Sequence, residues 1–544
     1  MGALQKMEEL AAQNNWYAAG FLSYESAPAF DPVLKVKPSS GFPLIWFGLY
    51  DEPEKITLPA PTQPAPHLNW TPSVTRAEYN SAIAAVKDHI AHGNTYQVNY
   101  TMRLRTSLTQ DVWPLFLAMV HAQGAGYSAY LNIGTHIIAS ASPELFFTQA
   151  GETLTCRPMK GTVKRGRTNM EDDLQARWLE ASEKNRAENV MIVDMVRNDL
   201  GRIANIGSVR VPRLFATERY PTLWQMTSTV TANSNARLHE ILGALFPCAS
   251  ITGAPKVNTM KIIAALENSP RKIYTGSIGF VAPGRRAQFN VAIRTLLLEH
   301  ASGQCEYGVG GGIVWDSTSA DEYEEALLKA RVLSAPRFDF QLLETLRWTP
   351  AEGFNLLEQH INRMVESAYY FGFQADKDSI ESYLQNLSAS FSSEPQRVRL
   401  LLTKDSVLSG ESVPLPAASE SPVRLRLASM PINSADVFLF HKTTRRTVYE
   451  QARASAPADC DDVLLFNERG ELTESTIANL VVKLNGELLT PPMDCGLLPG
   501  TLREHLLKTG KIKEAIITKA QLQDCTKIYL INSVKGWREV TLLP

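Results

Sequence analysis

The sequence lacks a strong excess of charge and lacks any basic cluster with interleaved aromatic residues. Its 544 residues carry a formal net charge of −2, and the isoelectric point is about 6.6. Nucleic acid and anionic membranes are therefore not expected partners. No apolar run is long enough to span a bilayer, and residues 1–13 are polar and amphipathic rather than a basic-then-apolar leader. These features predict a cytosolic protein.

Cysteine is sparse, and neither CxxC nor Cys/His spacing is present. The six cysteines are Cys156, Cys248, Cys305, Cys460, Cys495 and Cys525. Reduced thiols without a structural zinc are the simplest interpretation. The glycine-rich nucleotide motifs GxGxxG with a following acidic residue and GxxxxGK[ST] are also missing, which disfavours a nucleotide site. No internal repeat or low-complexity tract is found.

The length and the hydrophobic periodicity indicate a mixed α/β protein of more than one domain. Hydrophobic residues make up 44% and charged residues 20%, which are values typical of globular chains. A break at Pro336 separates residues 1–335 from a smaller unit at 339–544. The predicted elements are strands within 16–50, a helix at 76–92, a helix at 112–121, a strand meander at 127–148, a helix at 171–197, a helix at 319–333, a helix at 355–371 and a long loop at 408–422.

Lys160 lies in the stretch Arg-Pro-Met-Lys-Gly-Thr (157–162), directly after an apolar, strand-like run. A partly desolvated amine at this position would have a lowered pKa and would act as a nucleophile. A surface lysine in a hairpin turn explains the same pattern. Composition and spacing leave both interpretations open.

Other groups in the first part suit an anionic ligand or a hard cation. Glu188 lies on one predicted helix, and Glu322 and Glu325 lie three residues apart on another, which is an arrangement that Mg²⁺ accepts. A capping box at 319–322 explains Glu322 without a metal. The glycines of 308–312 predict a flexible, amide-rich loop for an anion. Arg294, inside an apolar strand, needs a carboxylate partner from protein or ligand.

Six blocks of the first part resemble, in order, the motifs of the chorismate-utilising enzymes. The blocks are Ala-Ser-Pro-Glu at 141–144, residues 157–162, 194–202, 250–256, 274–279 and 310–317. This family includes anthranilate, isochorismate, salicylate and aminodeoxychorismate synthases and has a large α/β sandwich fold. Isochorismate-type members carry a water-activating lysine where this chain has Gln97. Lys160 stands where anthranilate synthases have a small residue, and it is the mark of the aminodeoxychorismate synthases.

The resemblance implies roles for individual residues. Lys160 would attack C2 of chorismate while Glu144 protonates the departing C4 hydroxyl, and ammonia would then enter at C4 and expel the lysine. The remaining implied residues are Tyr274, Arg294 and the amides near Gly310 and Gly312 for the pyruvyl carboxylate, Thr252 and Lys256 for substrate, and Glu188 and Glu325 for Mg²⁺ at the ring carboxylate. Two departures are Asn185, where many members have glutamate, and Gln225, where many have histidine.

Five blocks of the second part are individually ordinary but together resemble the fold-type IV pyridoxal-phosphate (PLP) enzymes. They lie at 340–346, 360–364, 441–444, 472–480 and 498–503. This group contains branched-chain and D-amino acid aminotransferases and aminodeoxychorismate lyase. The resemblance implies Lys442 as the Schiff-base lysine and Glu474 as the partner of the pyridine nitrogen. The implied phosphate ligands are Arg363, Ser533 and the backbone amides of Thr501 and Leu502.

The expected chain is therefore a chorismate-binding sandwich domain (1–335) followed by a smaller, branched-chain-aminotransferase-like PLP domain (339–544). The order of the two favours consecutive steps that yield 4-aminobenzoate for folate. The motifs alone do not separate a lyase from a D-amino acid aminotransferase-like catalyst, and a non-catalytic scaffold is the other alternative. No nucleophile elbow surrounds a cysteine, so a separate glutaminase would supply ammonia. The resemblance also leaves room for a homodimer through the PLP domain.

Overall fold

The structure is a computed structural model that describes residues 2–59, 66, 68–124, 126–333, 340–417 and 421–544. The chain folds as two compact units. The first comprises Met1–Arg165 and Gln175–Arg337, and the second comprises Gly166–Leu174 and Phe338–Pro544. The predicted boundary at Pro336 lies outside the described residues. Within the described ranges, no helix combines the length and the apolar character needed to cross a bilayer.

The strands of the first unit form two antiparallel sheets. One has the order β10, β11, β8, β7, β14, β13, β1, β2 with β9 also on β11, and the other has the order β12, β4, β16, β15, β6, β5 with β3 on β4. The strands are β1 (Tyr17–Leu22), β2 (Ile45–Tyr50), β3 (Thr71–Pro72), β4 (Gln97–Ser107), β5 (Tyr127–Asn132), β6 (His136–Ser142), β7 (Leu145–Ala150), β8 (Thr153–Arg157), β9 (Met159–Lys164), β10 (Arg210–Arg219), β11 (Leu223–Asn233), β12 (Gly253–Ala254), β13 (Ser277–Ala282), β14 (Arg286–Asn290), β15 (Thr295–Glu299) and β16 (Gln304–Ile313).

The two sheets face each other, and helices cover their outer faces. Phe21 and Ile278 of the first sheet share one buried cluster with Ile138 and Leu297 of the second. Burying each such side chain contributes roughly 1.5–3 kcal/mol. The helices are α1 (Gly2–Asn14), α2 (Ala27–Phe30), α3 (Arg76–Ala91), α4 (Trp113–Gln123), α5 (Asn169–Ala181, whose residues 169–174 belong to the second unit), α6 (Glu183–Gly201), α7 (Leu238–Leu245), α8 (Lys256–Leu266) and α9 (Ser319–Ala330). The predicted sandwich is confirmed.

Local sequence explains the helix boundaries. Helix α3 begins after Thr75, whose side chain forms a capping box with Glu78, and it matches the predicted helix at 76–92. The single helix predicted at 171–197 is wrong, because Ser182 accepts a hydrogen bond from the Asn185 amide and starts a new helix there. The predicted cap of α9 is also shifted, since Thr318 rather than Ser319 accepts from the Asp321 amide.

The second unit contains two further sheets. One has the order β18, β17, β19, β20, and the other has the order β23, β22, β21, β28, β27, β24, β25, β26. Its strands are β17 (Leu342–Thr349), β18 (Gly353–Phe354), β19 (Gln396–Leu402), β20 (Leu408–Pro414), β21 (Val423–Leu427), β22 (Asp462–Phe466), β23 (Leu472–Ser475), β24 (Asn479–Leu484), β25 (Glu487–Thr490), β26 (Lys513–Glu514), β27 (Lys527–Asn532) and β28 (Gly536–Leu542), and its helices are α10 (Leu357–Phe371), α11 (Lys377–Ser388), α12 (Thr447–Ala454) and α13 (Thr501–Lys508).

Strand β20 corrects the predicted loop at 408–422. Its residues pair with β19 from Leu402↔Leu408 to Gln396↔Pro414, although the segment is rich in serine and proline. Pro414 stands at the end of this edge strand, where a missing amide hydrogen is tolerated. The helix expected to begin at Thr501 is present as α13.

A short segment of the second unit comes from far upstream in the chain. Residues 166–174, called the strap below, follow β9 in sequence but belong to the second unit. The Tyr370 hydroxyl donates to the Gly166 carbonyl oxygen at 2.6 Å, and the Asn169 side-chain amide donates to the Glu366 carbonyl oxygen at 2.8 Å. Nothing in the sequence patterns predicted this membership.

Candidate active sites

Lys160 lies on β9, which pairs with β11. A side chain of helix α6 forms a hydrogen bond to the Lys160 backbone. The Asn189 side-chain amide donates to the Lys160 carbonyl oxygen at 3.1 Å, and Ser228 donates to the Asn189 side chain at 2.6 Å. The Lys160 amine lies 3.1 Å from a carboxylate oxygen of Glu188. Lys160 is therefore a largely buried, ion-paired lysine on a strand rather than a solvated lysine in a turn. Asn189, which the sequence patterns did not single out, holds the backbone of Lys160 in place.

Gln97 lies beside this amine in a fully buried position. A Cβ at Gly312 would clash with the Gln97 amide and would lie 2.7 Å from the Lys160 nitrogen, so all three groups meet at one point. Neither polar atom of the Gln97 side chain has a hydrogen-bond partner within the described chain. Leaving such a buried group unsatisfied costs about 1–3 kcal/mol. A polar ligand that bonds to Gln97 would remove this cost.

Glu144 is buried next to the start of β7. Burial raises its pKa to about 7, although a hydrogen bond from Ser250 at 2.7 Å stabilises the ionised form. The Ser250 hydroxyl also lies 3.3 Å from the Cys248 thiol. A carboxyl group with this pKa keeps a proton near neutral pH, as a general acid must.

The predicted metal ligands have protein partners. Glu188 pairs with Lys160, and Glu325 lies 2.8 Å from the Lys329 amine, which lowers the Glu325 pKa. The described residues contain no group of three or more His, Cys, Asp or Glu side chains arranged to hold a metal. Mg²⁺ needs only one or two protein carboxylates beside substrate oxygens and water. Glu188 and Glu325 fit that limited requirement if each of them leaves its lysine partner and binds the ion instead.

The glycines predicted as a flexible loop instead form the end of strand β16. This strand pairs with β4 along its length, but its pairing with β15 ends at Tyr307. In the described chain, residues 308–313 therefore have a strand on one side only, which leaves outward-facing amides for a ligand. Gly308 lies against the Tyr274 ring, where a Cβ would clash.

Arg294, Thr252 and Lys256 have contacts that the sequence did not predict. Arg294 has a positive φ of 51° and donates to the Gln123 side chain at 2.9 Å rather than to a protein carboxylate. The Thr252 hydroxyl donates at 3.2 Å to the Cys248 and Ala249 carbonyls. The Lys256 amine lies 2.8 Å from Asp199. The last two contacts hold the loop before α8 and tie α8 to α6.

Both departures from the family pattern lie beside the Lys160 turn. The Gln225 amide donates to the Gly161 carbonyl at 2.8 Å, and the Thr162 hydroxyl donates to Gln225 at 3.0 Å. Gly161 has a φ of 103°, which favours glycine, and a Cβ there would lie 3.1 Å from the Asn185 side chain. Gln225 therefore fixes the turn.

The second unit contains a cavity of about 410 Å³ whose walls include Lys442, Glu474, Arg363, Thr501 and Ser533. Burial and the neighbouring Arg363 lower the pKa of Lys442 to about 8. An amine with this pKa is partly unprotonated near neutral pH and can bond to an aldehyde.

Glu474 lies in this cavity with three hydrogen-bond donors around its carboxylate. Tyr449 donates at 2.8 Å, the Asn479 side chain at 3.0 Å and the Leu498 backbone amide at 3.0 Å. Burial nevertheless raises its pKa to about 7. A protonated ring nitrogen placed against this carboxylate would supply the missing positive charge. Tyr449 was missed because it lies on α12, outside the quoted blocks.

His360 connects two of the predicted phosphate ligands that line the cavity, Thr501 and Ser533. Its Nε2 lies 2.9 Å from the Ser533 hydroxyl and 3.2 Å from the Thr501 hydroxyl, and its Nδ1 lies 2.6 Å from Glu344. Arg363 makes two bonds to Glu344, at 2.8 and 2.6 Å. Burial opposes ionisation of Glu344, but Arg363 and His360 together lower its pKa to about 2.

This donor set fits PLP. A partly neutral amine, a buried carboxyl group, two hydroxyls and the N-terminus of α13 with the Thr501 and Leu502 amides correspond to the aldehyde, ring nitrogen and phosphate of that cofactor. His360 and Glu344 both lie within quoted sequence blocks. No role was predicted for them, because their contacts join β17, α10 and Ser533, which follows β27.

The chain belongs to the family of chorismate binding enzymes, whose family model matches residues 1–335. Residues 341–543 match the model of the class IV aminotransferases. The pairing of a large chorismate-binding part with a smaller PLP-type part, predicted from the sequence, is confirmed.

Curated relatives refine the comparison for the first part. The chain is 41% identical over 263 residues to aminodeoxychorismate synthase component 1 of Escherichia coli (strain K12), covering 48% of this chain and 58% of that protein. It is 40% identical over 258 residues to the protein of the same name from Bacillus subtilis (strain 168), covering 47% and 54%. The chain thus spans less than three fifths of the length of these relatives.

A solved structure supports the fold. Anthranilate synthase component I from Streptococcus pneumoniae TIGR4 superposes with a TM-score of 0.53 at 24% identity, covering 58% of this chain and 80% of that one. The likeness confirms the sandwich of the first unit.

Proposed function

We propose that the chain makes 4-aminobenzoate from chorismate in two steps, one in each unit. The first step replaces the C4 hydroxyl of chorismate by an amino group and releases water. The second step removes pyruvate from the resulting aminodeoxychorismate. The similarity to proteins named aminodeoxychorismate synthase component 1 supports the first step, as does the largely buried, ion-paired Lys160. The class IV aminotransferase match and the Lys442 cavity support the second.

In the first step, the Lys160 amine attacks C2 of chorismate, and the ring double bonds shift as the C4 oxygen leaves. Glu144, with its pKa near 7, gives its proton to that oxygen so that it departs as water. Ammonia then adds at C4, the bonds shift back, and the Lys160 amine leaves. The unsatisfied Gln97 amide lies beside Lys160 and is placed to bond to a polar group of the substrate.

The two carboxylates of chorismate require positive partners. Arg294 and the one-sided edge of β16 near Gly310 and Gly312 are proposed to bind the pyruvyl carboxylate, with Tyr274 against the same strand. Mg²⁺ would be held by Glu188 and Glu325 and would neutralise the ring carboxylate. Removing Glu188 from its ion pair would also free the Lys160 amine to act.

Ammonia is proposed to come from a separate glutaminase. Five of the six cysteines are buried, and burial raises the pKa of Cys248, Cys305 and Cys495 to about 12. Thiols of this kind are poor nucleophiles. The six unpaired cysteines also suit a reducing compartment such as the cytosol. A homodimer through the second unit stays a prediction.

In the second step, PLP bound in the cavity would act as an electron sink for the C4 carbon of aminodeoxychorismate. Lys442 would hold the cofactor aldehyde, and its amine, once released, would remove the C4 proton. Glu474 would keep the ring nitrogen protonated, while Thr501, Ser533 and the α13 N-terminus would hold the phosphate. Loss of pyruvate makes the ring aromatic, which drives the step.

The observation that carries the proposal is the presence of Lys160 beside Gln97 in one unit and of Lys442 with Glu474 in the other. A non-catalytic scaffold would have no reason to bury this second pair. A lyase is favoured over a D-amino acid aminotransferase because its substrate is the product of the first step.

The test is one incubation of the purified chain with chorismate, ammonium, Mg²⁺ and PLP, followed by chromatography. Equal amounts of 4-aminobenzoate and pyruvate are expected, and glutamine in place of ammonium should give neither. Accumulation of aminodeoxychorismate together with amino transfer from D-amino acids would replace the lyase by an aminotransferase. Anthranilate as product would refute the assignment of the first unit.

A further inference from the structure

The strap, residues 166–174, contacts the residue that directly precedes Lys442. The Nε2 of His441 lies 3.1 Å from the Arg167 carbonyl oxygen, and its Nδ1 lies 3.0 Å from the Ser367 hydroxyl. A carbonyl oxygen only accepts, so Nε2 donates a hydrogen bond to Arg167, while the Ser367 hydroxyl bonds to Nδ1. His441 is buried, and both of its ring nitrogens have a partner.

Further contacts fix the strap against the same region. The Arg167 guanidinium lies 4.9 Å from the centre of the Phe440 ring and 2.8 Å from an Asp494 carboxylate oxygen. The Tyr370 hydroxyl donates to Gly166, and the Tyr370 ring lies 4.5 Å from the His441 ring. The strap therefore covers Phe440 and His441, the two residues before Lys442.

Strand β17 holds the chain on the other side of this lysine. The Leu343 amide donates to the Lys442 carbonyl at 3.0 Å, and the Thr444 amide donates to the Gln341 carbonyl at 2.9 Å. Lys442 thus lies between two attachments, one to β17 and one, through His441, to the strap. Its amine points into the cavity lined by Glu474.

We propose that the strap is a positioning element of the second active site, which fixes His441 and thereby places the Lys442 amine where it meets the aldehyde of PLP. This inference rests on the proposed role of Lys442. Placement matters because small displacements of a reacting group lower the rate of its reaction strongly. Arg167, Tyr370 and His441 do not line the cavity, so they are proposed to act through Lys442.

The chain offers a matched pair of tyrosines for the test. Tyr370→Phe removes the hydroxyl that holds the strap, whereas Tyr369→Phe removes the same group from a neighbouring side chain that is 55% exposed. Both variants are made in the full chain. PLP binding is measured by titrating the cofactor-free protein, and the pH midpoint of the visible PLP absorbance band is measured after loading.

Tyr370→Phe should bind PLP about three- to tenfold more weakly, which is the range for one lost hydrogen bond, and should shift the pH midpoint of the band. Tyr369→Phe should match the unmutated chain in both. Amination of chorismate should be unchanged in both variants, which shows that the first unit is folded, and an unchanged thermal unfolding profile shows the same for the second. Identical titrations for the two tyrosine variants would overturn the proposal.

A second pair of variants tests His441 itself. His441→Gln can still donate to the Arg167 carbonyl and accept from Ser367, whereas His441→Ala can do neither. PLP affinity should fall in the order histidine, glutamine, alanine, with the midpoint of the band moving in the same order. An alanine variant that titrates like the unmutated chain contradicts the role of the strap. An unmutated chain that shows no visible band with PLP refutes the proposed function, and this inference with it.

Discussion

The two units each present a lysine to a site, but the surroundings of these lysines differ. Lys160 lies 3.1 Å from the Glu188 carboxylate, whereas Lys442 has Arg363 and Arg446 among the charges that act on it and a pKa lowered to about 8. If Lys160 attacks as proposed, Glu188 has to take another partner first, because the ion pair holds the Lys160 amine. Lys442, with its lowered pKa, is already partly unprotonated and can bond to the cofactor aldehyde. The first site is therefore expected to depend on a cation, and the second is not.

Replacing the first lysine should have the largest effect. Lys160→Ala should lower amination of chorismate on the order of 10³-fold or more, because the attacking group is lost. Lys164→Ala, on the same strand but exposed, is the control. Formation of aminodeoxychorismate is measured by chromatography, and pyruvate release from supplied aminodeoxychorismate should persist. Near-normal amination by folded Lys160→Ala would remove the covalent role.

Replacing the second lysine should change the product. Lys442→Ala should release aminodeoxychorismate from chorismate and ammonium, with 4-aminobenzoate reduced by roughly 10²–10⁴-fold, because the cofactor attachment and the proton acceptor are lost together. The exposed Lys483→Ala is the matched control. If 4-aminobenzoate still forms at the normal rate, the second unit is not the lyase.

Removal of magnesium should also distinguish the two sites, and a single carboxylate substitution should do so less strongly than either lysine substitution. EDTA should stop the first step and leave the second unaffected, and Glu325→Gln should weaken the response of the first step to Mg²⁺ by about one order of magnitude. Each step is assayed alone, with chorismate or with supplied aminodeoxychorismate. A second step that EDTA abolishes would contradict the contrast between the two lysines.

The smallest expected effect concerns the acid of the first site. Glu144 must be protonated to act, so amination should decline as the pH rises through its pKa of about 7. The Ser250 hydrogen bond favours the ionised form, and Ser250→Ala should therefore raise that pKa and move the decline upward by about half to one pH unit. The ratio of variant to unmutated rates across pH isolates this shift from the titration of ammonia. A downward shift would argue against Glu144 as the acid.

Sequence patterns predicted the elements with strong local signals. The helix at 76–92 was found because Thr75 and Glu78 cap it and an apolar stripe follows. The proposed site residues Lys160, Glu144, Lys442 and Glu474 were singled out because they lie in ordered sequence blocks, and the structure places polar or charged partners around each of them. Their pairing with Ser250 and Tyr449 was not predicted, because those partners come from other elements.

The misses share a physical cause, which is that tertiary pairing overrides local composition. Residues 308–312 are rich in glycine and were predicted as a loop, yet the pairing with β4 makes them a strand. The serine- and proline-rich segment from 408 was predicted as a loop for the same reason. His360 gains its role from Glu344 and Ser533, and no pattern near residue 360 reveals those contacts.

The strap also has a consequence for how the chain folds while the ribosome makes it. A ribosome makes residues 166–174 long before it reaches Phe340, and at 5–20 residues per second the rest of the chain follows over roughly 20–70 s. The nascent strap must therefore stay available while the first unit folds around its ends. The second unit acquires its full set of contacts only when the last strands emerge. The second unit is therefore not a separate C-terminal segment, because one of its parts is made before Gln175–Arg337 of the first unit.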